Sequence, residues 1–119
     1  MISGPGFSVD VRREDGAMVV APRGELDLAT VSQVREALDQ RDGDRLVVLD
    51  LGDLSFMDSA GVQLVLEVHQ RAIGDGIEFR VRRGRESVQR LFDMTGLSRH
   101  LLWDDERAPG VQDAGSVDG

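Results

Sequence analysis

The stretch Leu46 to Leu51, Leu-Val-Val-Leu-Asp-Leu, constrains the fold more than any other part of the chain. So continuous an apolar, β-branched run, bounded by charged and glycine-containing segments, predicts a central strand covered on both faces by helices. The flanking sequence agrees. Phe7 to Val11 alternates apolar and polar residues, Glu14-Asp15-Gly16 supplies a turn, and Ala17 to Pro22 reads as the returning strand of a hairpin. Leu28 to Gln40 places Val31, Val34 and Leu38 at helical spacing. Asp27 or Thr30 is available there as N-cap, Gln33 falls where a capping box needs it, and Gly43 ends the segment.

From Ser59 a helical stripe of Val62, Val65, Leu66, His69 and Ile73 runs until the Gly74-Asp75-Gly76 turn closes it. Ile77, Phe79 and Val81 then alternate with charged residues as in a strand. Val88, Leu91 and Phe92 mark a short helix stopped by Gly96, and Leu101 to Trp103 a last strand. The order β-β-α-β-α-β-α-β predicts an α/β fold: one domain with a mixed, mostly parallel sheet and helices packed against it. Residues 1–6 are expected to be a flexible lead-in, 7–103 the domain, and 104–119 an acidic, disordered tail. At 119 residues the chain suits a single core.

Charge and residue usage exclude several chemistries. A formal net charge of −8 opposes nucleic-acid binding, which requires a basic stripe facing the phosphates. There is no cysteine, so disulfides and thiolate sites are out, and no metal or cofactor motif is present. The apolar runs are short and interrupted by charges, as expected of a cytoplasmic protein without a membrane segment. Gly4-Pro5-Gly6 and Gly74-Asp75-Gly76 lack the lysine and the strand-to-helix setting of a phosphate loop and read as turns. The Arg80, Arg82, Arg83, Arg85, Arg90 cluster reads as solvated surface.

The junction Met57-Asp58-Ser59-Ala60-Gly61 carries the remaining chemistry. As a hydrolase elbow it lacks the first glycine of G-x-S-x-G. It also lacks a base: His69 lies about 15 Å further along the same helix at the usual rise, and His100 is the other histidine. As a phospho-aspartate receiver, with Asp50 as acceptor, it lacks the acidic pair after the first strand and any lysine. What remains is Ser59 at the N-cap or first turn of a helix. There a hydroxyl can cap a backbone N–H, and an added phosphate would be tolerated by the helix end while changing the surface by about −1.5 to −2 charges. The domain would act as a binding module and not as an enzyme.

Three segments then resemble a known family. Gly24-Glu25-Leu26-Asp27, the run "LVVLDLGDLSFMDSAGVQLVL" and "LFDMTGLSRHL", in this order and spacing, are similar to STAS domains and, within them, to bacterial anti-sigma factor antagonists. The resemblance spans about Phe7 to Trp103. It implies a cytoplasmic regulator of transcription in partner-switching circuits of the stress-response and sporulation kind. Its partner would be an anti-sigma factor serine kinase of the histidine-kinase-like ATPase superfamily, which phosphorylates the matching serine, Ser59. A serine phosphatase would reverse the modification.

The same resemblance assigns Glu25, Asp27, Asp58, Ser59 and Gly61 to the partner-binding surface. Two departures stand out. Ala60 replaces the second hydroxyl that many members carry, leaving Ser59 and Ser55 as local acceptors. Asp104 to Gly119, with Pro109 and several glycines, is poorly suited to the final helix of some members. An alternative within the family is an accessory subunit of a transporter ATPase, whose serine is never modified.

Overall fold

The computed structural model describes residues 6–104. Strands β1 (Ser8–Glu14) and β2 (Ala17–Leu26) form an antiparallel hairpin. Its two-residue turn places both Asp15 (φ 51°) and Gly16 (φ 84°) in the left-handed region. An Asp-Gly pair favours that geometry because it matches the twist of the flanking strands. Helix α1 (Val31–Leu38) follows, then strands β3 (Leu46–Asp50) and β4 (Leu54–Met57), helix α2 (Ser59–Asp75) and strand β5 (Glu78–Arg82). Helix α3 (Glu86–Thr95), a 3₁₀ turn at Leu97–Arg99 and strand β6 (Leu102–Trp103) complete the described chain.

The sheet order is β1-β2-β3-β5-β6, with every pairing after the hairpin parallel. This is the expected α/β architecture, a mixed and mostly parallel sheet with three helices. The element absent from the expected order is β4. Only four residues long, it pairs with Gly24–Leu26 at the far end of β2, which runs four residues beyond the expected Pro22. Helix α1 is shorter than the Leu28 to Gln40 pattern suggests and stops at Leu38, well before Gly43. Along α2 the buried side is Gly61, Val62, Leu64, Val65 and Ala72. Ile73, expected on that stripe, is 69% exposed.

The core lies on one side of the sheet. Met18, Val20, Val47, Leu49, Phe79 and Val81 point from the strands toward Val34, Leu64, Val65 and Phe92 of the helices. Complete burial of side chains of this size stabilises by roughly 1.5–3 kcal/mol each relative to exposure. Ala17, Val19 and Val48 face the other way and form a separate cluster containing no helical residue. Helices therefore cover β3 on one face, and the expectation of helices on both is corrected.

Arginine side chains take the place of the second helical layer. Arg12 stands beside Val19, which stands beside Val48, and Val19 and Val48 are nonetheless only 0% and 2% exposed. The polar ends of these long side chains are tied together above the small apolar residues. Arg12 Nε is 2.7 Å from Glu14, and Arg82 reaches Glu14 at 3.1 Å, Asp50 at 3.7 Å and Asp104 at 2.9 Å. Aliphatic stems covering apolar surface under a paired charged rim account for a strand that reads as doubly buried.

Arg82 is thus a partly buried hub, which corrects its assignment to plain solvated surface. Asp104, assigned to the tail, belongs to the folded unit through that pair. The rest of the lead-in and tail, residues 1–5 and 105–119, lies outside the described residues.

Candidate functional site

The site forms where the end of β2 meets the start of α2. The parallel pairing of β2 with β4 sets Glu25 against Phe56 and Leu26 against Met57, with a register shift between Gly24 and Glu25. The Asp58 N–H then donates to the Leu26 carbonyl at 3.2 Å, and the Ser55 hydroxyl donates to the Gly24 carbonyl at 3.1 Å. Two sequence segments about thirty residues apart are locked side by side. Gly24 is required here: its φ is +109°, and a Cβ at this position would stand 2.0 Å from the Gly6 carbonyl oxygen.

Asp58 is the N-cap of α2. Its backbone is extended, its carboxylate accepts the Ala60 N–H at 2.9 Å, and its carbonyl accepts from Gly61 at 3.0 Å. With the cap supplied by Asp58, Ser59 becomes the first helical residue and is exposed. No group among the described residues hydrogen-bonds the Ser59 hydroxyl. Ser55, by contrast, spends its hydroxyl on the Gly24 carbonyl. The two local acceptors expected from the sequence therefore differ in availability.

Asp27 and Thr30 act differently from the expected caps. Thr30 takes the N-cap position of α1 without a side-chain cap bond, so the expected capping box does not form. Its hydroxyl donates instead to the Glu25 carbonyl at 2.8 Å and accepts the Asp27 N–H at 3.0 Å. Asp27 Oδ1 accepts the Ala29 N–H at 3.0 Å. These bonds make 25–30 a closed turn ahead of the helix, a local use of Asp and Thr side chains that competes with capping. Glu25 is exposed and Asp27 partly exposed at its surface.

Gly61 lies beneath the surface. It is buried, and a Cβ there would meet Met57 Cγ at 2.4 Å and Leu26 Cδ2 at 3.2 Å. Its place is to let the first turn of α2 settle onto β2 and β4, which positions Ser59. Glu25, Asp27, Asp58 and Ser59 come together at the surface with Gly61 under them. Phe56, 47% exposed and paired with Glu25, and Leu28, 81% exposed within the 25–30 turn, are not singled out by sequence reasoning, yet they belong to the segments that form this corner.

Away from this corner the candidates stay apart. His69 is on α2 and His100 follows the 3₁₀ turn, in separate parts of the fold. Asp50 is held by Gly52 N–H at 2.9 Å and by Arg82. Among the described residues no group of three His, Cys, Asp or Glu side chains could hold a metal ion, and no helix is long and apolar enough to cross a membrane.

Comparison with known proteins fits this geometry. The STAS domain model matches residues 8–114. An anti-sigma F factor antagonist of Paenibacillus polymyxa is 33% identical over 104 residues, covering 84% of this chain and 89% of that one. The crystal structure of an anti-sigma factor antagonist from Mycobacterium paratuberculosis superposes with a TM-score of 0.75 at 25% identity, covering 86% of this chain and 89% of that one. The anti-sigma factor antagonist SpoIIAA in its unphosphorylated form gives a TM-score of 0.68 at 25% identity, covering 83% and 90%. The chain belongs to the STAS domain family and, within it, to the anti-sigma factor antagonists, which are regulatory proteins and not enzymes.

Proposed function

We propose that this chain binds an anti-sigma factor serine kinase of the histidine-kinase-like ATPase superfamily through the corner formed by Glu25, Asp27, Asp58 and Ser59, with Gly61 beneath. Binding releases a sigma factor, phosphorylation of Ser59 ends it, and a serine phosphatase restores it. The observation that carries this reading is the exposed Ser59 hydroxyl, without an internal partner, on the first turn of a helix already capped by Asp58. A phosphoryl group there can be added without breaking a hydrogen bond of the fold. It would sit beside the Asp58 carboxylate, so its charge falls on the docking surface. The relatives support an anti-sigma partner, and SpoIIAA, known in an unphosphorylated form, supports a phosphorylation cycle. The setting is cytoplasmic, in partner switching of the stress-response or sporulation kind.

The test is affinity capture from lysate of the source cells with wild type and Ser59→Glu as parallel, demonstrably folded baits. A small ATPase kinase held by wild type and released by the glutamate variant is the expected result. Retention of the same kinase by both baits would sink the charge switch, and retention of a transporter ATPase by both would favour an unmodified accessory subunit.

A further inference from the structure

We infer that Leu28 is the apolar anchor of the docking corner, seconded by Phe56, and that the partner meets it with an apolar pocket rimmed by basic side chains. This rests on the proposal that the corner binds an anti-sigma kinase, and adds which residue holds it and what chemistry receives it.

Leu28 is 81% exposed, more than any other large apolar residue described. It is not on a loose loop. It sits inside the turn closed by Asp27 Oδ1 with Ala29 N–H, Thr30 Oγ1 with Asp27 N–H, and the Thr30 hydroxyl with the Glu25 carbonyl. With the backbone of the turn already held, Leu28 has only side-chain freedom to lose on docking, so more of its burial appears as affinity. Phe56 belongs to the same surface: as the Cα partner of Glu25 it projects to the same side of the strand pair as that exposed carboxylate. Large anchors ringed by polar groups are the usual anatomy of an interface centre. Met94, 75% exposed on α3, and Ile73, near the end of α2, lie outside segments 23–30 and 53–59 and are single exposed residues of the kind any domain surface carries.

The charge around the anchor selects the partner. Segments 23–30 and 53–59 carry the carboxylates of Glu25, Asp27, Asp53 and Asp58 against the one guanidinium of Arg23, which lies 3.9 Å from Asp53. An acidic rim of this kind repels nucleic-acid phosphates and anionic lipid headgroups. It complements a protein surface bearing arginine or lysine around an apolar pocket.

The test measures the affinity of the purified chain for the ATPase kinase captured by wild type, at 50 mM and 500 mM salt. Leu28→Ser, Phe56→Ser and Met94→Ser are compared with wild type after thermal melts confirm that each is folded. Leu28→Ser is expected to weaken binding at least tenfold and Phe56→Ser severalfold, with Met94→Ser within twofold, and affinity should fall on raising the salt. Leu28→Ser binding within twofold of wild type would overturn the anchor while leaving the kinase reading intact. Affinity insensitive to salt would overturn the basic rim. Failure of wild type to hold any ATPase kinase would overturn the underlying reading, and the anchor with it.

Discussion

Ser59 owes its availability to its neighbour. Because the Asp58 carboxylate caps α2 through Ala60 N–H, the serine hydroxyl is not needed for the fold. Replacing Asp58 by alanine should lower stability by about 1 kcal/mol, whereas Ser59→Ala should stay within about 0.5 kcal/mol of wild type. Denaturant melts of the two variants measure the contrast, and a larger loss for Ser59→Ala would return the capping role to it. Gly61 makes the opposite case. A methyl group there runs into Met57 and Leu26, so Gly61→Ala should destabilise by about 1–3 kcal/mol through overpacking. It should also weaken partner binding by displacing the first turn of α2. The sequence displayed the Asp-Ser-Ala-Gly element plainly but not the division of labour within it. Whether Asp58 or Ser59 caps depends on where the first helical turn begins, which the Leu26 carbonyl of a distant strand, accepting the Asp58 N–H, helps to set.

At the scale of elements, α1 and α2 are clamped by the two-point pair of Arg35 with Glu67, at 3.0 and 3.1 Å. The hydrogen bonds from Arg35 hold the Glu67 carboxyl below its usual 4.5. A carboxyl lowered in the folded state stabilises above its unfolded pKa, and that stabilisation is lost as pH falls through the lowered native value. Both side chains are about two-fifths exposed, 40% and 41%, so solvent screening limits the pair to less than about 1 kcal/mol. Glu67→Gln should therefore narrow the stability gap between pH 7 and pH 3 by no more than that amount, read from melts at the two pH values.

Elements with a strong local pattern were legible: the hairpin with its Asp-Gly turn, β3, β5, and the ends of α2 and α3 at Gly76 and Gly96. Strand β4 was not. Leu54–Met57 has buried residues only at its two ends, so it shows no strand alternation. Its existence depends on the long reach of β2. Ile73 is exposed for a different reason: the buried face of α2 runs through Gly61, Leu64, Val65 and Ala72, and Ile73 stands one step round the helix from Ala72.

At the scale of the whole molecule, the domain has one helical layer and one layer of paired charges. The apolar content of β3 suggested two helical layers because a strand covered by arginine stems needs the same residues as one covered by helices. The covering groups are far apart in sequence: Glu14 and Arg82 are 68 residues apart, a separation no local pattern reveals. Removing the hub by Arg82→Ala should take the common partner away from Glu14 and Asp104 and open the charged layer, at about 1–3 kcal/mol. Arg90→Ala, which breaks an exposed pair with Glu86 one turn away, should change stability by no more than about 0.5 kcal/mol. Equal effects in chemical denaturation would contradict the covering role.

This division also separates stability from function. The hub ties Arg82 to Glu14, Asp50 and Asp104, none of which belongs to the docking corner, so Arg82→Ala should leave partner affinity unchanged once folding is corrected for. The central claim concerns the other region, where an added charge on Ser59 ends docking. The direct measurement is the affinity of the captured kinase, by calorimetry, for the unmodified chain and for the chain phosphorylated at Ser59 alone. The account predicts a weakening of about a thousandfold, equivalent to about 4 kcal/mol. Equal affinity for the two forms would contradict it.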